Sequence, residues 1–256
     1  ILRTMELDIV GLLETDLHRP AFGNRDLTQW LAQDLHMYAD LGPSPKKHTW
    51  GAVLLSKFPI INSTHHLLPS PHGELAPAIH AVLDIWGVPT HVVVSHNGQF
   101  EDKLDRELQT KAIARILSDA YPHPAIFLGY VVTKPHAPRP EPYDILFSDG
   151  LIFDVDPDDK DRWCQYLGFR GLERVGYARV SRYTVTDTEL QTFKLAVPDR
   201  LEPNRDVRPF RVSGRHFKPA AWTYPLSLVR PGVRLNETHK YSPYIYPQYF
   251  EFEARH

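Results

Sequence analysis

Short apolar runs that each stop at a polar or turn-forming group constrain this chain more than any other feature. Asp8-Ile9-Val10-Gly11-Leu12-Leu13 stops at Glu14, followed at once by Thr15-Asp16. Val92-Val93-Val94-Ser95 delivers His96-Asn97, and Ala125-Ile126-Phe127-Leu128 delivers Gly129-Tyr130. Runs this short and this rich in β-branched residues read as buried strands rather than helices. A carboxylate at the exit of a buried strand is poorly placed for packing and well placed for a divalent cation. Together the three exits describe a sheet whose edge carries a site.

The intervening segments support a sheet-rich domain. Asp26 and Gln29 make a capping pair for a helix running to about Leu35. Thr49–Ser56 reads as a strand, and Phe58-Pro59-Ile60-Ile61 turns into another. Ile79, Ala81, Leu83 and Ile85 alternate with His80, Val82, Asp84 and Trp86, a period of two that marks a strand with one wetter face. A two-residue Gly87-Val88 turn then predicts an antiparallel hairpin. From Asp102 to Ser118 the period becomes helical: Leu104, Leu108, Ala112 and Ile116 share a face, with Asp102/Arg106 and Glu107/Lys111 paired on the wet side. Tyr143–Ser148 is expected to be a strand, Asp159–Leu167 a helix, and 177–182 and 190–195 the closing strands. Ile1–Leu7 reads as the end of a helix already under way, so the chain is expected to be a piece of a longer protein.

Composition narrows the function classes. No run approaches the roughly 18 apolar residues that span a bilayer. A single cysteine, Cys164, excludes an internal disulfide and a cysteine-based zinc cluster. Residues 197–256 hold 10 Lys and Arg against 6 Asp and Glu, while residues 1–196 hold 19 against 25. An acidic body suits a cation site and is a poor footprint for a nucleic-acid groove. Two sequons, Asn62-Ser63-Thr64 and Asn236-Glu237-Thr238, point weakly to a secretory compartment. His65 and His66 point to opposite faces of a strand, so they are not expected to share an ion.

Glu14 after its strand, then Trp50-Gly51-Ala52-Val53-Leu54-Leu55-Ser56-Lys57-Phe58-Pro59-Ile60, then Ser95-His96, resembles the endonuclease/exonuclease/phosphatase superfamily. Leu128-Gly129-Tyr130, Asp161-Arg162-Trp163-Cys164-Gln165-Tyr166, Gly176-Tyr177-Ala178-Arg179 and Asp187-Thr188-Glu189-Leu190-Gln191 resemble one branch of it. That branch is the C-terminal domain of the cell wall biogenesis protein 43 / PGAP2-interacting protein family. The resemblance implies an α+β fold, a DNase I-like four-layered α/β sandwich of two mainly antiparallel sheets with outer helices. It would cover residues 1–196, with a first strand upstream of Ile1, and leave 197–256 as a Pro-, Arg- and Tyr-rich tail wrapping the core.

The same resemblance implies that Glu14 is a ligand to Mg²⁺ or another divalent cation. His96 would act on the phosphoryl group with Asp187 as its partner, and Glu74, His48, Asn97, Tyr130 and Tyr177 would contact substrate. Two departures from the superfamily stand out. Gly129-Tyr130-Val131-Val132 replaces Gly-Asp-Phe-Asn, and Thr186-Asp187-Thr188 replaces Ser-Asp-His. The family implies remodelling of glycosylphosphatidylinositol (GPI) anchors, exchanging diacylglycerol for ceramide, on the lumenal side of the endoplasmic reticulum or Golgi. A multi-pass membrane region would precede the domain, and no nucleic-acid partner is expected. Two alternatives stay open: a nonenzymatic GPI- or lipid-binding module with a decayed site, and a Mg²⁺-dependent phosphodiesterase or nuclease. Each residue also has a plain structural reading: a solvated strand-end carboxylate for Glu14, a satisfied histidine near a helix start for His96, a turn residue for Asp187.

Overall fold

Buried β-branched and leucine-rich segments satisfy their backbone groups by pairing, and the pairing partners of this chain build two stacked sheets. A computed structural model of the chain describes residues 2–16, 27–44, 50–73, 76–135, 137, 142–181 and 188–198. Strands β1 (Ile9–Asp16), β2 (Tyr38–Leu41) and β3 (Trp50–Ser56) form one sheet in the order β1-β3-β2. The larger sheet contains β4 (Ile60–Leu68), β5 (Ala76–Ile85), β6 (Val88–Ser95), β7 (Ala125–Tyr130), β8 (Phe153–Asp154) and β9 (Gln165–Arg170), ordered β4-β5-β6-β7-β9-β8. A separate hairpin joins β10 (Glu173–Ser181) to β11 (Glu189–Ala196). Among the described strands of the larger sheet only β6 and β7 run parallel, and helix α2 (Lys103–Asp119) is the crossover that a parallel pair needs.

The inner core lies between the two sheets. Val53, Leu54 and Leu55 of β3 belong to one buried cluster with Ile79, Ala81 and Leu83 of β5 and Val92 and Val94 of β6. The outer face of the larger sheet is covered by Ile113 and Leu117 of α2, which pack on Ala78, Val93, Phe127 and Tyr166. Helix α1 (Leu27–Leu35) packs beside β2 and buries Thr28 and Ala32. These layers are those of a DNase I-like α/β sandwich. A polar tie also joins the sheets: Asp40 of β2 is fully buried and meets His65 Nε2 of β4 at 2.7 Å, with Ser63 donating to its other oxygen. His66 points the other way, as the strand alternation requires.

The structure corrects five local expectations, the first being the face of α2, where Arg106 is buried instead of lying on the wet side and Leu104 is exposed. The β5–β6 turn is Trp86-Gly87, not Gly87-Val88. Both residues have left-handed backbones (φ 54° and 88°), and Gly87 N donates to Asp84 Oδ1 at 2.6 Å, so the hairpin closes one residue earlier. Residues 143–148 are helical, a short α3 (Pro142–Asp144) running into a π-helical turn (Ile145–Asp149) that buries Tyr143, Ile145 and Leu146 against α2. The apolar run that suggested a strand is instead the packing face of a turn. Residues 165–170 form β9 rather than the end of a helix, because Arg162 is drawn inward to Asp154 and the following segment pairs with β7 and β8. Leu2–Glu6 is a set of turns closed by Glu6 N donating to Arg3 O, not a helix end. The tail from 199 onward lies outside the described residues.

Candidate functional site

The apolar run of β1 is interrupted near its end. Leu12 pairs with Val53 and Thr15 with Gly51, so two residues of β1 oppose one of β3, and Glu14 occupies this bulge with a left-handed φ of 53°. A bulge re-aims the side chain it contains, and a non-glycine residue in that conformation carries strain, so the site sits where the strand departs from regular pairing. The Glu14 side chain is 53% exposed, whereas that of His96 is 8% exposed. His96 follows β6 directly and is fixed by its backbone N–H donating to Pro77 O at 3.1 Å.

Glu14 Oε1 and His96 Nε2 lie 2.8 Å apart. The hydrogen bond from His96 holds the Glu14 carboxyl below its ordinary range, against the opposite push of partial burial, and the charge of His96 adds to the lowering. An ionised carboxylate only accepts, so the proton of this pair is on His96 Nε2. Two aromatic rings flank the imidazole. Trp50 packs edge-on with its ring centroid 5.3 Å away, and Tyr130 lies tilted at 5.4 Å. Tyr130 leaves the end of β7, and its hydroxyl meets Thr188 Oγ1 at 3.4 Å. Gly129 before it admits no side chain, since a Cβ there would stand 2.4 Å from Ser95 O. That close approach of β6 and β7 brings the residues after each strand together.

Glu14, His96 and Tyr130 therefore converge at one end of the sandwich. Asn97 and Tyr177 do not join them. Asn97 is turned inward and donates through Nδ2 to Thr110 Oγ1 at 2.9 Å, so it supports the loop against α2 instead of facing His96. The Tyr177 hydroxyl donates to Asp159 Oδ2 at 3.3 Å. Burial, opposed by Arg162 and reinforced by Asp159, pushes that hydroxyl's pKa up. Asp187, Glu74 and His48 lie outside the described residues.

Sequence reasoning missed Trp50 as a wall of the site. The available signal was its place at the start of β3, but only the Asp16–Trp50 pairing shows that this start lies at the exit of β1. The helix expected over Asp159–Leu167 would also have put Arg162 in its first turn. Arg162 is instead buried and donates to both oxygens of Asp154, at 2.8 and 2.7 Å, while Tyr143 donates to the same carboxylate at 2.8 Å. This pair anchors the segment leading into β9.

Among the described residues no three His, Cys, Asp or Glu side chains are gathered to hold a metal ion. Mg²⁺ commonly takes one or two protein carboxylates and completes its shell with water and phosphate oxygens. Glu14 fits that demand: it is a hard-oxygen donor, ionised and half-exposed.

Comparison with known proteins identifies the family and the fold. The profile of the family described as PGAP2IP, C-terminal nuclease-like domain, matches residues 1–217. The protein cwh43 of Schizosaccharomyces pombe is 57% identical over 231 residues, which cover 90% of this chain and 23% of that protein. The chain thus spans about a quarter of that relative's length. Among solved structures, an endonuclease/exonuclease/phosphatase from Bacteroides vulgatus superposes with a TM-score of 0.60 at 15% identity, covering 77% of this chain and 87% of that one. The human Nocturnin catalytic domain superposes with a TM-score of 0.56 at 16% identity, covering 75% and 83%. These superpositions establish the fold.

Proposed function

The chain belongs to the family of PGAP2IP C-terminal nuclease-like domains, and we propose that it is a phosphodiester enzyme acting on the lipid portion of GPI anchors. The observation that carries the reading is the Glu14–His96 pair, placed at the sheet end and walled by Trp50 and Tyr130. The superfamily fold supports phosphodiesterase-type chemistry, and the family motifs supply the lipid and its exchange for ceramide as the expected substrates. The compartment in this reading is the lumen of the endoplasmic reticulum or Golgi. Among the described residues no helix is long and apolar enough to cross a membrane.

In the exchange, an acceptor hydroxyl gives up its proton as it forms a new P–O bond and the P–O bond to diacylglycerol breaks, and that proton replaces the one His96 delivers to the departing oxygen. The departing oxygen takes up a proton. His96 Nε2, which already carries a proton held toward Glu14, is the donor at that oxygen. Glu14 would hold a divalent cation, whose chemistry when bound is to neutralise charge on the phosphoryl oxygens. Tyr130 stands where the superfamily carries its Asp. A phenol cannot position a water as a carboxylate does, but its ring can exclude water and pack on an acyl chain. This favours transfer to a lipid hydroxyl over hydrolysis.

The test is product analysis with a GPI-like phosphodiester in the full-length protein, with and without ceramide. His96→Ala is expected to abolish turnover while the fold remains intact by circular dichroism. Unchanged turnover in that variant would remove His96 from the chemistry. A nonenzymatic lipid-binding module is the second reading, favoured by the missing Asp and Asn at Tyr130-Val131-Val132. It predicts lipid binding without product in the parent protein. A nuclease would cleave duplex DNA with Mg²⁺, which the excess of acidic residues in 1–196 argues against.

A further inference from the structure

The end of the sandwich that carries His96 and Tyr130 also exposes large apolar side chains. Phe100 is 63% exposed on the loop between His96 and α2, Leu104 is 45% exposed in the first turn of α2, and Trp163 is 54% exposed just ahead of β9. A chain of contacts links Phe100 to the segment that carries Trp163. The Phe100 ring lies under the Arg106 guanidinium, 5.1 Å away, and Arg106 Nη1 donates to Val132 O at 2.7 Å. Val131 N in turn donates to Cys164 O at 3.0 Å, beside Trp163. The path from Phe100 to Trp163 therefore runs through the residues that directly follow Tyr130. It is held firmly: Arg106 is buried, and Val132 is fixed in a left-handed conformation (φ 45°) that a β-branched residue rarely adopts.

Each exposed ring stands among charges of both signs. Glu101, Asp102 and Lys103 follow Phe100, while Asp158, Lys160 and Asp161 precede Trp163. A protein-docking patch is normally a contiguous apolar area. Single aromatic anchors set among mixed charges suit a layer of zwitterionic headgroups, where a ring enters the interface and both charge signs find partners. We infer that this rim seats the domain on a phospholipid bilayer surface, with Phe100 and Trp163 as the inserting anchors and Leu104 beside them. The inference rests on the lipid reading of the site, because a lipid phosphodiester must be met at the membrane surface.

Co-sedimentation of the 256-residue chain with phosphatidylcholine vesicles tests it. The parent is expected to partition onto vesicles, and the Phe100→Ser/Trp163→Ser double variant is expected to lose roughly tenfold or more of that partitioning. The control is Phe153→Ser, which removes a 41% exposed ring from the far end of the larger sheet and should bind as the parent does. Thermal unfolding followed by circular dichroism confirms that each variant is folded. A parent that stays in the supernatant overturns the proposal, as does an equal loss in Phe153→Ser. Turnover of a short-chain, water-soluble phosphodiester reports on the chemistry separately. Vesicle binding without turnover counts against the proposed reaction alone, and turnover without vesicle binding against the rim alone.

Discussion

The outer face of the larger sheet carries a row of histidines beyond the cover of α2, and they make folding stability depend on pH in a defined direction. His80 Nε2 lies 2.8 Å from His91 Nδ1 with the rings stacked, and His123 packs on His91 at 5.6 Å. Burial, then the nearby His91 and His66, push His80 down to about 4, while His66 and His91 are lowered chiefly by burial. The unfolded chain holds these groups near the ordinary histidine value of about 6.5. Below that pH the unfolded state binds more protons than the folded one, so stability is full above about pH 6.5 and falls as pH drops toward 4. For His80 alone, moving from pH 8 to pH 5 removes about 2 kcal/mol. His66 and His91 add to this with the same sign, reduced by their contact with solvent. His80→Gln removes the titrating group. Urea unfolding followed by tryptophan fluorescence at pH 8 and pH 5 measures the effect. The variant is expected to lose about 2 kcal/mol less than the parent between the two pH values. Other carboxylates and histidines contribute equally to both proteins and cancel in that difference. An identical pH dependence in parent and variant would refute the argument.

Other outcomes follow from single contacts. Arg162→Ala leaves Asp154 charged and buried, and is expected to cost about 3–5 kcal/mol in urea unfolding at pH 7; a loss below 1 kcal/mol would show that water reaches the pair. Glu14→Gln keeps size and removes charge, so Mg²⁺ affinity by calorimetry should fall while the melting profile changes little; unchanged affinity would remove Glu14 from the cation site. Tyr130→Asp should depress lipid exchange and raise hydrolysis relative to transfer, scored by products with and without ceramide; equal transfer by variant and parent would show that Tyr130 plays no part in selecting the acceptor.

Most strands of the fold were legible in the sequence because burial leaves a local signature. β3, β6 and β7 are apolar runs of strand length, and β5 alternates with a period of two, so each announces itself within its own residues. The misread segments depended on distant partners. Asp159 and Tyr166 contact Arg162 from within 159–167, but the carboxylate that takes both of its guanidinium donors is Asp154 and a second ring is Tyr177, both outside that segment. The Ile145-Leu146-Phe147 run carries the same apolar content as a strand, and α2 decides its conformation by offering a surface to pack on.

The site shows the same division between local and distant information. Glu14 and His96 could be picked out because each is a polar group delivered by an apolar run. Their 2.8 Å contact spans 82 residues and depends on two backbone features that composition does not record. One is the bulge that gives Glu14 its left-handed backbone. The other is the tight β6–β7 approach enforced at Gly129. Both place strain or close packing beside the pair, and strain of this kind persists only where the surrounding structure holds it. Asn97 shows the converse. It is adjacent to His96 in sequence, but the chain leaves β6 there and turns its amide toward Thr110 on α2. Adjacency to a candidate residue was therefore a poor guide to its neighbours in space. Strand register was the better one, because it sets Trp50 beside the exit of β1 and Tyr130 beside the exit of β6.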